Sequence, residues 1–303
     1  MRVFRFMKKT CNSIVTAVVC LSLVVAPTLA QDQAPPSFTP EQLDHIVSRI
    51  ALYPDPLLAQ VLTASTFPDQ IPDAAQWADQ HHYLTGQELA DAIQQDQLPW
   101  DPSVQALLPF PSVLDTMASD PSWTNDLGNA VLGDRDAVMD AVQHMRKEAM
   151  DYGYLRSNAQ IVVTGGPYIG IEPANPAFVV VPAYDPVVVY APPRPGFFVG
   201  GAIGFGFGVT LGAWFHPWGW GTSRIVWGSH AIFINNARWD RNWANRRVYV
   251  HPYPGVHRYT AANHAVEHHE LVHRSEAERH AAHEGHAVHE EHHEQHHEDK
   301  HHH

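Results

Sequence analysis

The sequence predicts a mainly α protein with a small β extension: a compact helical N-terminal domain, short antiparallel strands, a Gly-rich apolar segment and a low-complexity His-rich tail. Three observations point there. Helix-start signals recur across residues 38–155. Runs of β-branched residues, broken by turn residues, follow over 158–192. The last 40 residues then hold 15 His and nine Glu. With 303 residues, 45% apolar composition and nine Trp, the chain can bury a sizeable core.

The first 30 residues read as a secretory leader. Arg2, Arg5, Lys8 and Lys9 precede an apolar stretch from Ile14 to Ala26, and Thr28-Leu29-Ala30 offers a cut before Gln31. The apolar run is shorter than the ~20 residues a membrane span needs. Cys20 follows Val19 rather than a small residue, which argues against a lipoprotein site. The chain's two Cys, Cys11 and Cys20, both lie in this leader, so the mature chain has no thiol nucleophile, Cys-zinc site or disulfide framework. These features predict a protein outside the cytosol, in the periplasm or cell envelope.

Residues 31–154 carry 4 basic and 19 acidic side chains, residues 155–260 carry 8 and 3, and residues 261–303 carry 3 and 10. A basic middle thus sits between acidic ends. A net-acidic mature chain is repelled by phosphate, so nucleic acid is not an expected partner.

After the linker 31–37, the helical domain 38–155 opens with Thr39-Pro40-Glu41-Gln42, a capping box with Pro at the first helical position. Asp55-Pro56, Thr85-Gly86, Asp101-Pro102, Asp120-Pro121 and Asp134 start further helices. An Asp or Thr oxygen there accepts a free first-turn N–H, and a carboxylate also faces the positive end of the helix dipole. Leu127, Val131, Val138, Val142 and Met145 recur at helical spacing. Six to eight short helices in one bundle are expected. The Asp residues read as caps rather than catalytic carboxylates, and His81, His82 and His144 read as surface polar groups.

From Ala159 the pattern changes to QIVVT, YIGIE, AFVVVP and VVVYAP, separated by Gly165-Gly166, Pro173 to Pro176 and Tyr184-Asp185-Pro186. This reads as a small antiparallel β unit of short or edge strands, with Asp185-Pro186 as a turn.

IALYPDPLLAQVLTAST (50–66), LPWDPSVQALLPFPSVL (98–114), Trp123 followed by VMDAVQHMRKEA up to residue 149, and IEPANPAFVVVPAYDPVVVY (171–190) resemble the bacterial envelope family called domain of unknown function 3300. The resemblance covers residues 40 to about 192 and continues through the Gly-rich stretch and WGSHAIFINNARWDRNW. The His-rich end lies outside the part read as shared. The resemblance implies an exported protein with a helical domain and a short β extension. It brings no activity and no catalytic residues.

Residues 193–221 contain FFVGGAIGFGFGVTLGAWF (197–215), without a charge. As a helix this run is about 28 Å long, close to the ~30 Å of bilayer hydrocarbon. Gly200, Gly204, Gly208 and Gly212 then form one stripe, which suits close helix approach, with Trp214, Trp218 and Trp220 as an aromatic belt. Membrane insertion or self-association through 197–215 is one reading. The other is a soluble Gly-rich loop or strand packed on the domain, because Gly costs ~1 kcal/mol in an exposed helix and Gly204 to Gly208 also alternates with strand period. In residues 222–260, Arg238, Trp239, Arg241, Trp243, Arg246 and Arg247 form a basic-aromatic cluster. It either meets anionic lipid or cell-wall polymer, or is a solvated segment that covers the strands.

The tail, residues 261–303, is expected to be disordered or helical and to bind metal weakly at several sites. His269, His273, His280, His283, His286, His289, His292, His293, His296 and His297 are the candidate ligands, spaced three and four apart. Neutral imidazole suits zinc, nickel and copper. Protonation near pH ~6.5 also offers pH sensing. His269-Glu270-Leu271-Val272-His273 matches a metalloprotease pattern, but His and Glu are so abundant that about one match arises by composition alone. The leading expectation is therefore a non-enzymatic envelope protein, membrane- or oligomer-associated, with a metal-binding tail. The alternatives are a soluble periplasmic interaction module with an inert tail and, behind it, a metal-dependent hydrolase using Glu270.

Overall fold

A computed structural model describes residues 34–196, 199–206 and 208–250. The chain divides into two units, Met1–Ala34 and Pro35–His303. The expected leader, residues 1–30, lies outside the described residues, and every described helix and strand belongs to the second unit.

Eight α-helices fill residues 40–151: α1 Pro40–Val47, α2 Asp55–Ala64, α3 Ile71–Gln80, α4 Gly86–Gln95, α5 Pro102–Gln105, α6 Pro111–Ser119, α7 Pro121–Gly133 and α8 Arg135–Asp151. The Thr39 capping box forms in both directions, Gln42 N–H to the Thr39 hydroxyl and Thr39 N–H to Gln42 Oε1. Asp101, Asp120 and Asp134 accept from the amides of Ser103, Trp123 and Ala137 at 2.9, 3.0 and 3.0 Å, as their Asp-Pro or Asp-X starts predict. Thr85 precedes α4 without a side-chain cap.

Asp55 departs from the capping expectation. Pro54 occupies the N-cap of α2 and makes no side-chain cap bond, while the Asp55 carboxylate turns inward to a buried arginine. The helix it starts is buried on every side. Leu57, Leu58, Ala59, Val61, Leu62 and Ala64 are all fully buried, so α2 sits at the centre. It packs on α5 and α7, while α1 packs on α8 and α3 on α6.

The β part consists of β1 Ile161–Thr164, β2 Gly170–Pro173, β3 Phe178–Val179, β4 Pro182–Tyr184, β5 Ile203–Phe205, β6 Val209–Thr210, β7 Arg224–Val226, β8 Ala231–Ile234 and β9 Ala237–Arg238. All pairings are antiparallel: β1 with β2, β3 with β6, β4 with β5, and β7-β8-β9 as a meander. The expected turn at Asp185-Pro186 is instead a one-turn helix, α9 Pro186–Val189, capped by Asp185 on the Val187 amide at 2.9 Å.

Of the two readings of the Gly-rich segment, its described residues take the packed loop and strand and not the glycine-striped helix. Val199–Gly201 makes a 3-10 turn, β5 pairs with β4 and β6 with β3, and Ala213–Trp218 makes a second 3-10 turn. No helix among the described residues is long and apolar enough to cross a membrane. The glycines make room for rings of the same chain instead. A Cβ at Gly208 would lie 2.3 Å from the Phe178 ring, and one at Gly212 would lie 2.4 Å from Trp214. Trp218 and Trp220, expected in an aromatic belt, are 1% exposed and donate from Nε1 to Gln105 Oε1 and the Ala106 carbonyl, both at 2.9 Å.

Part of the basic-aromatic cluster is likewise drawn into the core, while Arg238 and Arg247 stay exposed. Trp239 is 1% exposed. Arg241 donates to the carbonyl and hydroxyl of Thr66 and stacks 3.6 Å over Phe67. Helices, Gly-rich segment and meander therefore share one apolar cluster. A second cluster joins Leu52 and Ala149 to Ile161, Ile171, Val180 and Val189.

Among the described residues the most enclosed charged side chain is Arg146 of α8, with 0% exposure. Its Nε donates to Ala51 O (2.7 Å), Nη2 to Tyr53 O (2.9 Å), and Nη1 to Ile169 O (2.8 Å) and Asp55 Oδ1 (2.6 Å). Trp227 completes the shell, its Nε1 on Asp55 Oδ2 at 2.8 Å and its ring 4.7 Å from the guanidinium carbon. Removing one partner of such a buried pair leaves a charge uncompensated. Asp55→Ala is therefore expected to cost about 3–5 kcal/mol of unfolding free energy in urea titrations, against about 1 kcal/mol for the exposed cap change Asp134→Ala. Equal costs would contradict this reading of Asp55.

Candidate ligand-binding cavity

Three segments bearing an aromatic residue, far apart in sequence, meet at one surface: Tyr53, Pro109-Phe110-Pro111, and Pro182, Ala183, Tyr184 and Pro186. Between them lies a half-open cavity of about 740 Å³, also lined by Arg49, Ser112, Thr116, Val181, Gly206 and Val209. Proline contributes a rigid apolar ring and no N–H, so these walls are largely apolar and poor in backbone donors.

Each wall is anchored from behind. The connection between α1 and α2 carries Arg49 and Tyr53, and Arg146 holds its Ala51 and Tyr53 carbonyls. Tyr184 donates to Ser48 O at 2.9 Å and accepts from the Leu52 amide at 3.3 Å, which ties β4 to the same connection. Tyr190 donates to Ser48 O at 3.0 Å and meets Tyr184 edge to face. Phe110, 1% exposed, leans on Trp220 with ring centroids 5.1 Å apart.

The polar groups in the lining are few. Arg49 is the one charged side chain there, and no carboxylate or imidazole joins it among the described residues. Its Nη2 pairs with Asp120 at 3.0 Å, and its guanidinium carbon lies 5.1 Å from the Trp123 ring centroid. The Trp123 amide, and then Arg49, hold the Asp120 carboxyl below the usual range. Thr116 spends its hydroxyl on Ser112 O at 2.8 Å. Tyr53 is 4% exposed, and its hydroxyl has no hydrogen-bond partner among the described residues. Burial pushes the phenol up to about 12, so it remains a neutral donor at physiological pH. Burial, followed by the neighbouring Tyr190, raises Tyr184 well above its ordinary value.

The ten histidines predicted as metal ligands, His269 to His297, lie outside the described residues, as do Glu270 and the two cysteines. Among the described histidines, His144 pairs with Asp44 at 2.8 Å and remains largely exposed, while His81 stacks on Trp77. No group of three or more His, Cys, Asp or Glu among the described residues is placed to hold a metal ion. None of the cavity residues is among the binding residues expected from the sequence. The signal present there is the recurrence of Pro beside an aromatic residue in YPDP, PFP and PAYDP.

A helical protein with short antiparallel strands and a Pro-aromatic cavity is thus defined. The chain belongs to the family described as protein of unknown function, DUF3300, which matches residues 39–297. The match takes in most of the His-rich tail, which the resemblance drawn from sequence motifs leaves outside the shared part. The uncharacterized protein YacH of Escherichia coli strain K12 is 35% identical, over 57% of this chain and 33% of its own length. The chain thus spans about a third of that relative. No solved structure matches the chain.

Glu172 lies on the exposed face of β2, opposite the buried Ile171, within electrostatic reach of Asp55 and Arg146. Desolvation and the Asp55 charge raise its carboxyl to about 7, against the opposing pull of Arg146. Between the unfolded value of 4.5 and 7 the folded chain keeps a proton that the unfolded chain has lost. This residue's contribution to stability therefore falls as pH rises through that window. In urea titrations from about pH 5 to 8, Glu172→Gln is expected to gain stability relative to the parent toward the alkaline end. A difference that does not change with pH would contradict the assignment.

Proposed function

We propose that this chain is a non-enzymatic, exported protein of the bacterial envelope that binds a ligand through the Pro-aromatic cavity. The observation that carries the reading is the cavity itself. Its volume falls in the range of small-molecule sites, its walls are apolar, and its few polar groups converge from separate elements. Ser112 and Thr116 have no carboxylate or imidazole in the described lining to act as a base, which supports binding over bond-making. Export rests on the leader at residues 1–30. The Gly-rich segment serves this reading as a wall, through Gly206 and, in β6, Val209, rather than as a membrane span.

The tail adds weak, multisite capture of zinc, nickel or copper by His269 to His297. The extent of the family match, to residue 297, supports treating these histidines as part of the protein's working sequence. The alternative, a periplasmic interaction module with an inert tail, differs in this respect alone.

One preparation tests the whole reading. The full-length chain, produced in a Gram-negative host, is expected in the osmotic-shock fluid beginning at Gln31. That material should enhance the fluorescence of the neutral apolar dye Nile red. Gly206→Phe should abolish the enhancement, because Gly206 lines the cavity and a Cβ there meets nothing within 4 Å, which leaves room for a ring. Calorimetric titration with zinc should give heat at micromolar metal that is lost when the ten histidines are replaced by Gln. Intact precursor in the cytosol, unchanged dye binding in Gly206→Phe, or no zinc heat would contradict export, cavity binding and metal capture respectively.

A further inference from the structure

We infer that the cavity ligand is an amphipathic monocarboxylate: an alkyl or aryl body lies against the Pro and aromatic walls, and the carboxylate meets the donors of Arg49, Tyr53 and Ser112. The inference rests on the cavity being a ligand site and adds the chemistry of its occupant.

Four observations converge. First, the nine-residue helix α6 begins at the cavity without a side-chain cap, as α2, α3 and α4 also begin. Pro111 has no N–H, and the amides of Val113 and Leu114 return to Phe110 O, so the Ser112 amide is the first-turn donor without a partner among the described residues. Second, Tyr53 lines the same cavity, 4% exposed, with an unpartnered hydroxyl. The phenol oxygen itself is not sealed from solvent and opens on the cavity, where a ligand's acceptor can reach it. Third, Arg49 uses Nη2 on Asp120, while Nε and Nη1 have no partner among the described residues. Fourth, no carboxylate among the described residues lines the cavity, so nothing there suits a cationic head group.

Donors that lack acceptors call for an acceptor-rich group, and a carboxylate accepts up to about four hydrogen bonds. The remainder of the lining is apolar, which calls for an apolar body. The volume of about 740 Å³ suits a small molecule.

The test uses the mature full-length chain and displacement of Nile red by three probes with one alkyl body: dodecanoate, dodecanol and dodecyltrimethylammonium. Dodecanoate is expected to bind at least about tenfold more tightly than either of the others, since hydrogen bonds to a charged group are the strong ones. Tyr53→Phe removes a hydroxyl that holds nothing in the described fold, and Arg49→Gln removes the charge. Each should weaken dodecanoate about tenfold or more and leave dodecanol unchanged. Equal displacement by all three probes, or equal losses for dodecanoate and dodecanol in both variants, would overturn the carboxylate assignment while cavity binding stands. Displacement by a peptide with a free apolar C-terminus, but not by dodecanoate, would also overturn it. Dye binding that survives Gly206→Phe locates the failure in the cavity reading instead.

Discussion

The fold turns on one buried cation. Arg146 reaches from the longest helix into a shell of three carbonyls, one carboxylate and one indole, drawn from separate parts of the chain. Ala51, Tyr53 and Asp55 come from the turn into the central helix, Ile169 from the edge of β2, and Trp227 from the turn after β7. A charge with no water to solvate it has to be met by such a set, so burying Arg146 forces these segments to meet. The cavity is a consequence. Its Tyr53 wall hangs from the carbonyls that Arg146 holds, and its β4 wall is bolted to the same turn through Tyr184.

Local signals are legible in the sequence and long-range ones are not. Asp101, Asp120 and Asp134 can be read as caps because donor and acceptor lie two or three residues apart. Asp55 has the same Asp-Pro signature, yet its partner is 91 residues away, and no local pattern distinguishes the two outcomes. The strand runs after Ala159 are legible as strands, but not their partners. β3 pairs with β6 and β4 with β5, and both partners lie in the Gly-rich stretch.

The Gly-rich stretch shows how two periodicities in one segment are resolved. Glycine every fourth residue suits a helix face, and glycine every second residue suits a strand. Packing decides between them. Open edges on β3 and β4 offer backbone partners, and the rings of Phe178 and Trp214 fill the space the missing side chains leave. The tryptophans that would lie at a bilayer boundary, Trp218 and Trp220, become core anchors, each with its indole N–H satisfied. The cavity is hidden in the sequence for a related reason. Its three Pro-aromatic segments look like turns one by one, and only their meeting makes a pocket of them.

Hydrogen exchange in Asp55→Asn tests most directly whether the Arg146 shell couples these segments. If it does, the amides of residues 50–53 and of 169–173 lose protection together, because both hang on the same guanidinium, while α3 and α6 keep theirs. Loss confined to 169–173, with residues 50–53 as protected as in the parent, would show that the cavity wall stands without the buried pair.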